Sequence, residues 1–82
     1  MFDSVSRVEL VGRWWNGERG RQARRDIWLT SDGQRWNVRA RQGDSDGREV
    51  SYDFDRGYEA RAMVDRLKAT APGKWKEITK LL

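Results

Sequence analysis

The chain has 82 residues and contains neither cysteine nor histidine, which excludes disulfide staples, Cys/His zinc sites, thiol nucleophiles and imidazole bases. Charged residues make up 37% of it and the net charge is +4, a balance that suits an acidic partner only where the positive charge is concentrated. No apolar run approaches the ~18 residues of a membrane span, and residues 1–10 lack the basic start and apolar stretch of a signal peptide. The expectation is therefore one small cytoplasmic domain over residues 1–82, with no membrane association.

The charge is uneven along the chain. Residues 1–25 are net +3, residues 26–54 net −2 and residues 55–82 net +3. Taken in order, residues 5–15 read as a first strand with Val8 and Leu10 as its inward positions. The Arg-rich segment 16–22 joins it to the next strand. Ser31-Asp32-Gly33-Gln34 then separates two β-rich runs, and Asp-Gly suits a two-residue type I′ turn, whose central residues both need positive φ. That turn predicts a register in which Ser31 faces Gln34, Leu29 faces Trp36, Ile27 faces Val38 and Arg25 faces Ala40 on the apolar side. On the other side Trp28 faces Asn37, and Asp26 faces Arg39 as an opposite-charge pair.

Residues 48–54 alternate with Val50, Tyr52 and Phe54 on one face. Pairing them across the loop 43–47 sets Ala40 by Val50, Val38 by Tyr52, Trp36 by Phe54 and Arg41 by Glu49. Asp55 is a plausible N-cap, and Ala60, Met63, Val64, Leu67 and Ala71 recur at helical spacing until Pro72-Gly73 stops them. Residues 74–82 put Trp75, Ile78 and Leu82 on one side if helical. The predicted fold is α+β: a four-stranded antiparallel β-meander, one long helix on its apolar face, and a short C-terminal helix.

No catalytic constellation emerges. Asp44, Asp46 and Gly47 lack the spacing of a calcium loop and suit a hairpin loop instead. Asp53 and Asp55 fall on a strand's outward face and at a helix cap, and no pocket-forming length remains beside them. No enzyme activity, metal, cofactor or small-molecule substrate is expected. What stands out is the stretch holding Arg13, Arg19, Arg21, Arg24 and Arg25 beside Trp14 and Trp15. Guanidinium forks bind phosphate bidentately and neighbouring aromatic rings stack on bases. The plainer reading is a solvated hairpin tip whose arginines keep a small protein soluble.

Five tryptophans sharpen the question. Trp36 and Trp75 fall on inward faces and read as core. Trp28 is outward by the hairpin register, and one of Trp14 or Trp15 must be outward too. An outward Trp has three uses: base stacking, a subunit interface, or a ring covered by arginines through cation–π contact.

Trp36, Val38 and Arg41, then Asp46-Gly47-Arg48, Tyr52 and Phe54, then Glu59, Ala60 and Ala62 resemble the arm-type amino-terminal DNA-binding domain of tyrosine recombinases (phage integrases). The resemblance covers about a third of the chain, residues 36–62. It implies a three-stranded antiparallel sheet with one helix, the sheet entering the major groove. An extra strand precedes the matching part, and residues 26–54 are net acidic. The order of elements is also similar to PC4/Whirly-type single-strand binders, which dimerise. The functional expectation is a non-enzymatic module that binds DNA or RNA through Arg13, Arg19, Arg21, Arg24 and Arg25, with Trp28 and Trp15 stacking. The alternative is a protein-interaction or homodimerisation domain using the same tryptophans.

Overall fold

A computed structural model describes residues 8–20, 23–43, 47–71 and 73–78. Strands β1 (Glu9–Trp15), β2 (Arg25–Ser31), β3 (Trp36–Gln42) and β4 (Arg48–Phe54) are followed by helix α1 (Gly57–Thr70) and a two-residue strand β5 (Lys76–Glu77). They form one antiparallel sheet in the order β4-β3-β2-β1-β5, with α1 on one face. Ile27, Leu29 and Val38 from the sheet and Ala60 and Val64 from α1 are the buried core, and Val11, Trp14, Trp36, Phe54, Met63, Leu67 and Trp75 pack around it. The expected α+β class, the meander of four strands and the helix on the apolar face are all present. No helix among the described residues is long and apolar enough to cross a membrane.

The β3–β4 register is the predicted one, from Trp36 opposite Phe54 to Arg41 opposite Glu49. The β2–β3 register is not. Leu29 lies opposite Val38 and Trp28 opposite Arg39, a shift of two residues from the two-residue turn. The connection has four residues because side chains organise it: Asp32 Oδ1 accepts from the backbone N–H groups of Gln34 (2.9 Å) and Arg35 (2.8 Å). Ser31 Oγ accepts from Gly33 N and donates to Arg35 O. Of the turn residues 32–35 only Gly33 has positive φ, at +94°, so the Asp-Gly pair builds an Asx-type turn and not a type I′ turn. A two-residue shift keeps every side chain on its expected face, so Trp36 remains on the helix side. There its ring covers the start of α1 so closely that a Cβ on Gly57 would fall 2.9 Å from it.

Three other expectations are corrected. In β1, Leu10 pairs with Thr30 and Gly12 with Leu29, so Val11 is an extra bulged residue. The bulge inverts the strand before it: Val11 joins the core, Leu10 takes the face of Thr30, and Val8 is exposed instead of inward. The start of the expected first strand, residues 5–7, lies outside the described residues. At α1, Arg56 is the extended residue at the N-cap position and makes no side-chain cap bond. Asp55 is exposed and reaches Arg35 at 4.0 Å instead of capping.

Over residues 74–78 the expected C-terminal helix is replaced by β5, which pairs with Trp14 and Trp15, and Ile78 N donates to Arg13 O at 2.8 Å; residues 79–82 lie outside the described residues. A segment this short after Pro-Gly gains little from a helix of its own, whereas the β1 edge supplies backbone partners at once. Trp75 fixes the turn back. Its indole N–H donates to the carbonyls of Lys68 (3.1 Å) and Ala71 (3.3 Å), satisfying the open C-terminal end of α1.

Candidate functional site

The sheet face away from α1 is where the outward residues of three strands meet. On β1 these are Arg13 and Trp15, on β2 Asp26 and Trp28, on β3 Arg39 and Arg41. The registers set Trp28 between Arg13 and Arg39, and Asp26 between Trp15 and Arg41. The guanidinium carbons of Arg39, Arg41 and Arg13 lie 4.6, 5.0 and 5.1 Å from the Trp28 ring centroid. Trp28 is thus outward, as the alternation requires, and half-buried under arginines, the third of the three uses open to it. Each such contact contributes about 0.5–1 kcal/mol at a wet surface and more where water is excluded.

Asp26 anchors the cluster. It is completely buried. Arg24 Nε donates to its Oδ2 at 2.9 Å and Arg24 Nη2 to its Oδ1 at 3.3 Å. Arg13 stands 3.7 Å and Arg41 4.0 Å from the same carboxylate. The Asp26 hydrogen bonds hold the Arg24 guanidinium above its ordinary pKa, against the opposing effect of its own desolvation. One carboxylate among three guanidiniums leaves positive charge in excess. Arg39 is drawn to Glu49 on β4 at 3.4 Å, between two half-exposed side chains, where an ion pair contributes little. Beyond it, Asn37 Nδ2 donates to Ser51 Oγ and Asp53 Oδ1.

The β1–β2 loop adds a second ring. Trp15 carries Arg24 at 5.4 Å and Arg19 at 5.9 Å, and its indole N–H donates to Glu18 O at 3.0 Å. Buried Asn16 shapes this loop. Its Oδ1 accepts from Glu18 N and Arg25 N, and its Nδ2 donates to Ala23 O. A connected row therefore runs from Arg19 through Trp15 and Arg24 to the Asp26 carboxylate, and from there through Arg13 and Arg41 to Trp28 and Arg39.

Of the residues singled out from the sequence, Arg13, Arg19, Arg24, Trp15 and Trp28 come together here. Arg25 does not. It alternates onto the helix side, where its Nη1 donates to Arg24 O and the side chain borders the groove between α1 and the sheet. Arg21 lies outside the described residues, as do Asp44 and Asp46. Trp14, the neighbour of Trp15, faces the core with its ring folded back over Gly12 and the Lys68 ammonium 4.7 Å from it.

Sequence reasoning missed Arg39, Arg41 and the anchoring role of Asp26. The net −2 of residues 26–54 concealed them, because it counts Asp32 in the turn, and Asp44 and Asp46 between β3 and β4 in sequence, together with residues of the face. The usable signal was parity: Asp26, Trp28, Arg39 and Arg41 fall on one side in any register that buries Ile27 and Val38. No protein-family model, curated protein or solved structure matches this chain.

Proposed function

We propose that the chain is a non-enzymatic nucleic-acid-binding module whose contact surface is this open face of the sheet. The observation that carries the reading is the gathering of Arg13, Arg39 and Arg41 around Trp28 and of Arg24 over Trp15, with the one buried carboxylate of Asp26 among them. Long cationic side chains normally lose rotamer freedom when they bind. Here the indole rings and Asp26 hold the guanidinium planes in place beforehand, and the forks of Arg24, Arg39 and Arg41 suit phosphate oxygens. Trp28 and Trp15 then serve first as platforms for arginine, with bases stacking on the ring or guanidinium surface that remains. Use of a sheet face agrees with the recombinase-type resemblance of residues 36–62, though β4 brings Glu49 and Asp53 to the border of the surface. Nothing in this arrangement reads a particular base, so backbone contact dominates and binding is salt-sensitive.

The test is fluorescence-anisotropy titration with generic single- and double-stranded oligonucleotides at two salt concentrations. If about four phosphates are met, log K falls with log salt with a slope of about −2.8 on a single strand and about −3.6 on a duplex. Arg39→Ala with Arg41→Ala lowers the magnitude of that slope by about 1.4 to 1.8. Arg61→Ala with Arg66→Ala, on the exposed side of α1, leaves it nearly unchanged. Absence of binding at low salt, or equal effects of the two double variants, overturns the proposal.

A further inference from the structure

The two edges of the sheet are unequal. On one side β5 covers the Trp14–Trp15 end of β1. On the other, β4 has seven residues and no neighbour beyond it among the described residues, and every one of them except Phe54 is exposed. An open strand of that length presents unpaired backbone N–H and C=O groups, and natural edges are blunted by charged side chains, lysine above all, by proline or by a bulge. This one has neither lysine, proline nor bulge: its sequence is REVSYDF, it pairs with β3 in unbroken register, and its only charges are Arg48 at its start and two acids. Its acids are turned inward along the sheet, Glu49 to Arg39 at 3.4 Å and Asp53 to Asn37 at 2.9 Å. The open edge itself is backbone, and beside it on the helix side stand Val50 and Tyr52, two of the four large hydrophobic side chains that are exposed among the described residues.

We infer that β4 pairs antiparallel with β4 of a second copy of this chain, joining two sheets into one of ten strands. A strand pairing with itself about a two-fold axis must be centred on a residue, and charge selects which one. Centred on Ser51, Glu49 stands directly against Asp53 of the other copy, and like charges opposite one another destabilise a sheet. A pairing centred on Tyr52 brings Glu49 against Asp55 and Arg48 against Arg56. With Val50 at the centre, Val50 meets Val50, Glu49 meets Ser51 and Arg48 meets Tyr52, with no like charges opposed. Such a two-fold axis stands perpendicular to the sheet, so both Arg–Trp faces lie on the same side of the assembly and both helices on the other. This interface uses the sheet's edge and not the tryptophans, and it stands independently of the nucleic-acid reading.

Light scattering coupled to gel filtration over a range of protein concentrations tests it. The expected result is a mass rising from that of the monomer towards twice that value. Association strengthens with added salt, which screens the net +4 charge of each copy, whereas oligonucleotide binding weakens. Val50→Lys, which sets two cations against each other at the axis, keeps the far-UV circular dichroism of the parent and stays monomeric. Tyr58→Lys, on an exposed position of α1, still dimerises. Hydrogen exchange of the unmodified protein supplies a readout that needs no variant: amides of residues 48–54 exchange at least several-fold more slowly at high concentration than at low, and those of β2 do not change. A chain monomeric at every concentration, a Val50→Lys variant that dimerises like the parent, a Tyr58→Lys variant that does not dimerise, or concentration-independent exchange in β4 overturns the inference.

Discussion

Replacing Asp26 by alanine tests the organisation of the outer face. Asp26 is fully buried, whereas its partners Arg13, Arg41 and Arg24 keep 20%, 22% and 34% of their side-chain surface in water. Removing one partner from a buried ion pair costs about 3–5 kcal/mol, because the charge left behind is neither solvated nor neutralised. The three guanidiniums are partly wet and can swing outward, which places this case near the lower end, about 3 kcal/mol. A domain of this size has about 4–12 kcal/mol of stability in total, so the loss is a large fraction of it. Expressed as temperature, it lowers the melting point by about 12–24 °C. Asparagine in place of Asp26 keeps one acceptor oxygen but turns an amide donor towards the Arg24 fork, and should recover about half of the loss.

Urea denaturation followed by far-UV circular dichroism measures both variants without adding salt of its own. Salt should also stabilise Asp26→Ala more than the parent, since three like charges remain together on the face. A loss under about 1 kcal/mol in Asp26→Ala, with no added salt sensitivity, would refute the view that this carboxylate holds the arginines in place. Provided the variant is folded at the assay temperature, its oligonucleotide binding should depend more steeply on salt, because guanidiniums freed from Asp26 can meet further phosphates, while the affinity gained is offset by the rotamer freedom they then lose on binding.

Two glycines with positive φ separate strain from collision. Gly33→Ala, at φ +94° with nothing within 4 Å, should cost about 1–2 kcal/mol from backbone strain alone. Gly73→Ala, at φ +131°, adds a Cβ 3.0 Å from Asn16 Cβ and closer still to Asn16 O, so it should destabilise more and loosen the loop carrying Arg19 and Arg24; equal denaturation midpoints for the two variants would contradict this. Asp32 yields a pH prediction: hydrogen bonds from the backbone N–H of Arg35 and then of Gln34 hold its carboxyl below the usual range. Its contribution is therefore complete above the ordinary carboxylate pKa and lost as pH falls through the depressed value. Carboxyl titration by NMR should place Asp32 below the usual carboxylate range, and Asp32→Ala should flatten the acid limb of the stability profile.

Strand alternation and helical spacing determined which residues enter the core, because both depend only on local geometry and burial. Ile27, Leu29, Val38, Ala60 and Val64 are buried for that reason, and Trp28 is outward for the same one. The β3–β4 register was also legible, since apolar residues on both arms and an opposite-charge pair agree on it. Three things needed the tertiary structure. The β2–β3 turn was decided by Asp32 and Ser31 side chains bonding to backbone, an outcome that Asp-Gly alone does not distinguish from a tighter turn. The bulge at Val11 exchanged the roles of Leu10 and Val11, which strict alternation cannot foresee. The fate of the C-terminal segment depended on a free edge of β1 far away in sequence. The candidate site combines both kinds of information: local pattern placed Trp28 and Asp26 on the outer face, but the two-residue shift in register brought Arg39 opposite the ring and Arg41 opposite the carboxylate. A cluster drawn from three strands and a loop exists only once those strands are aligned.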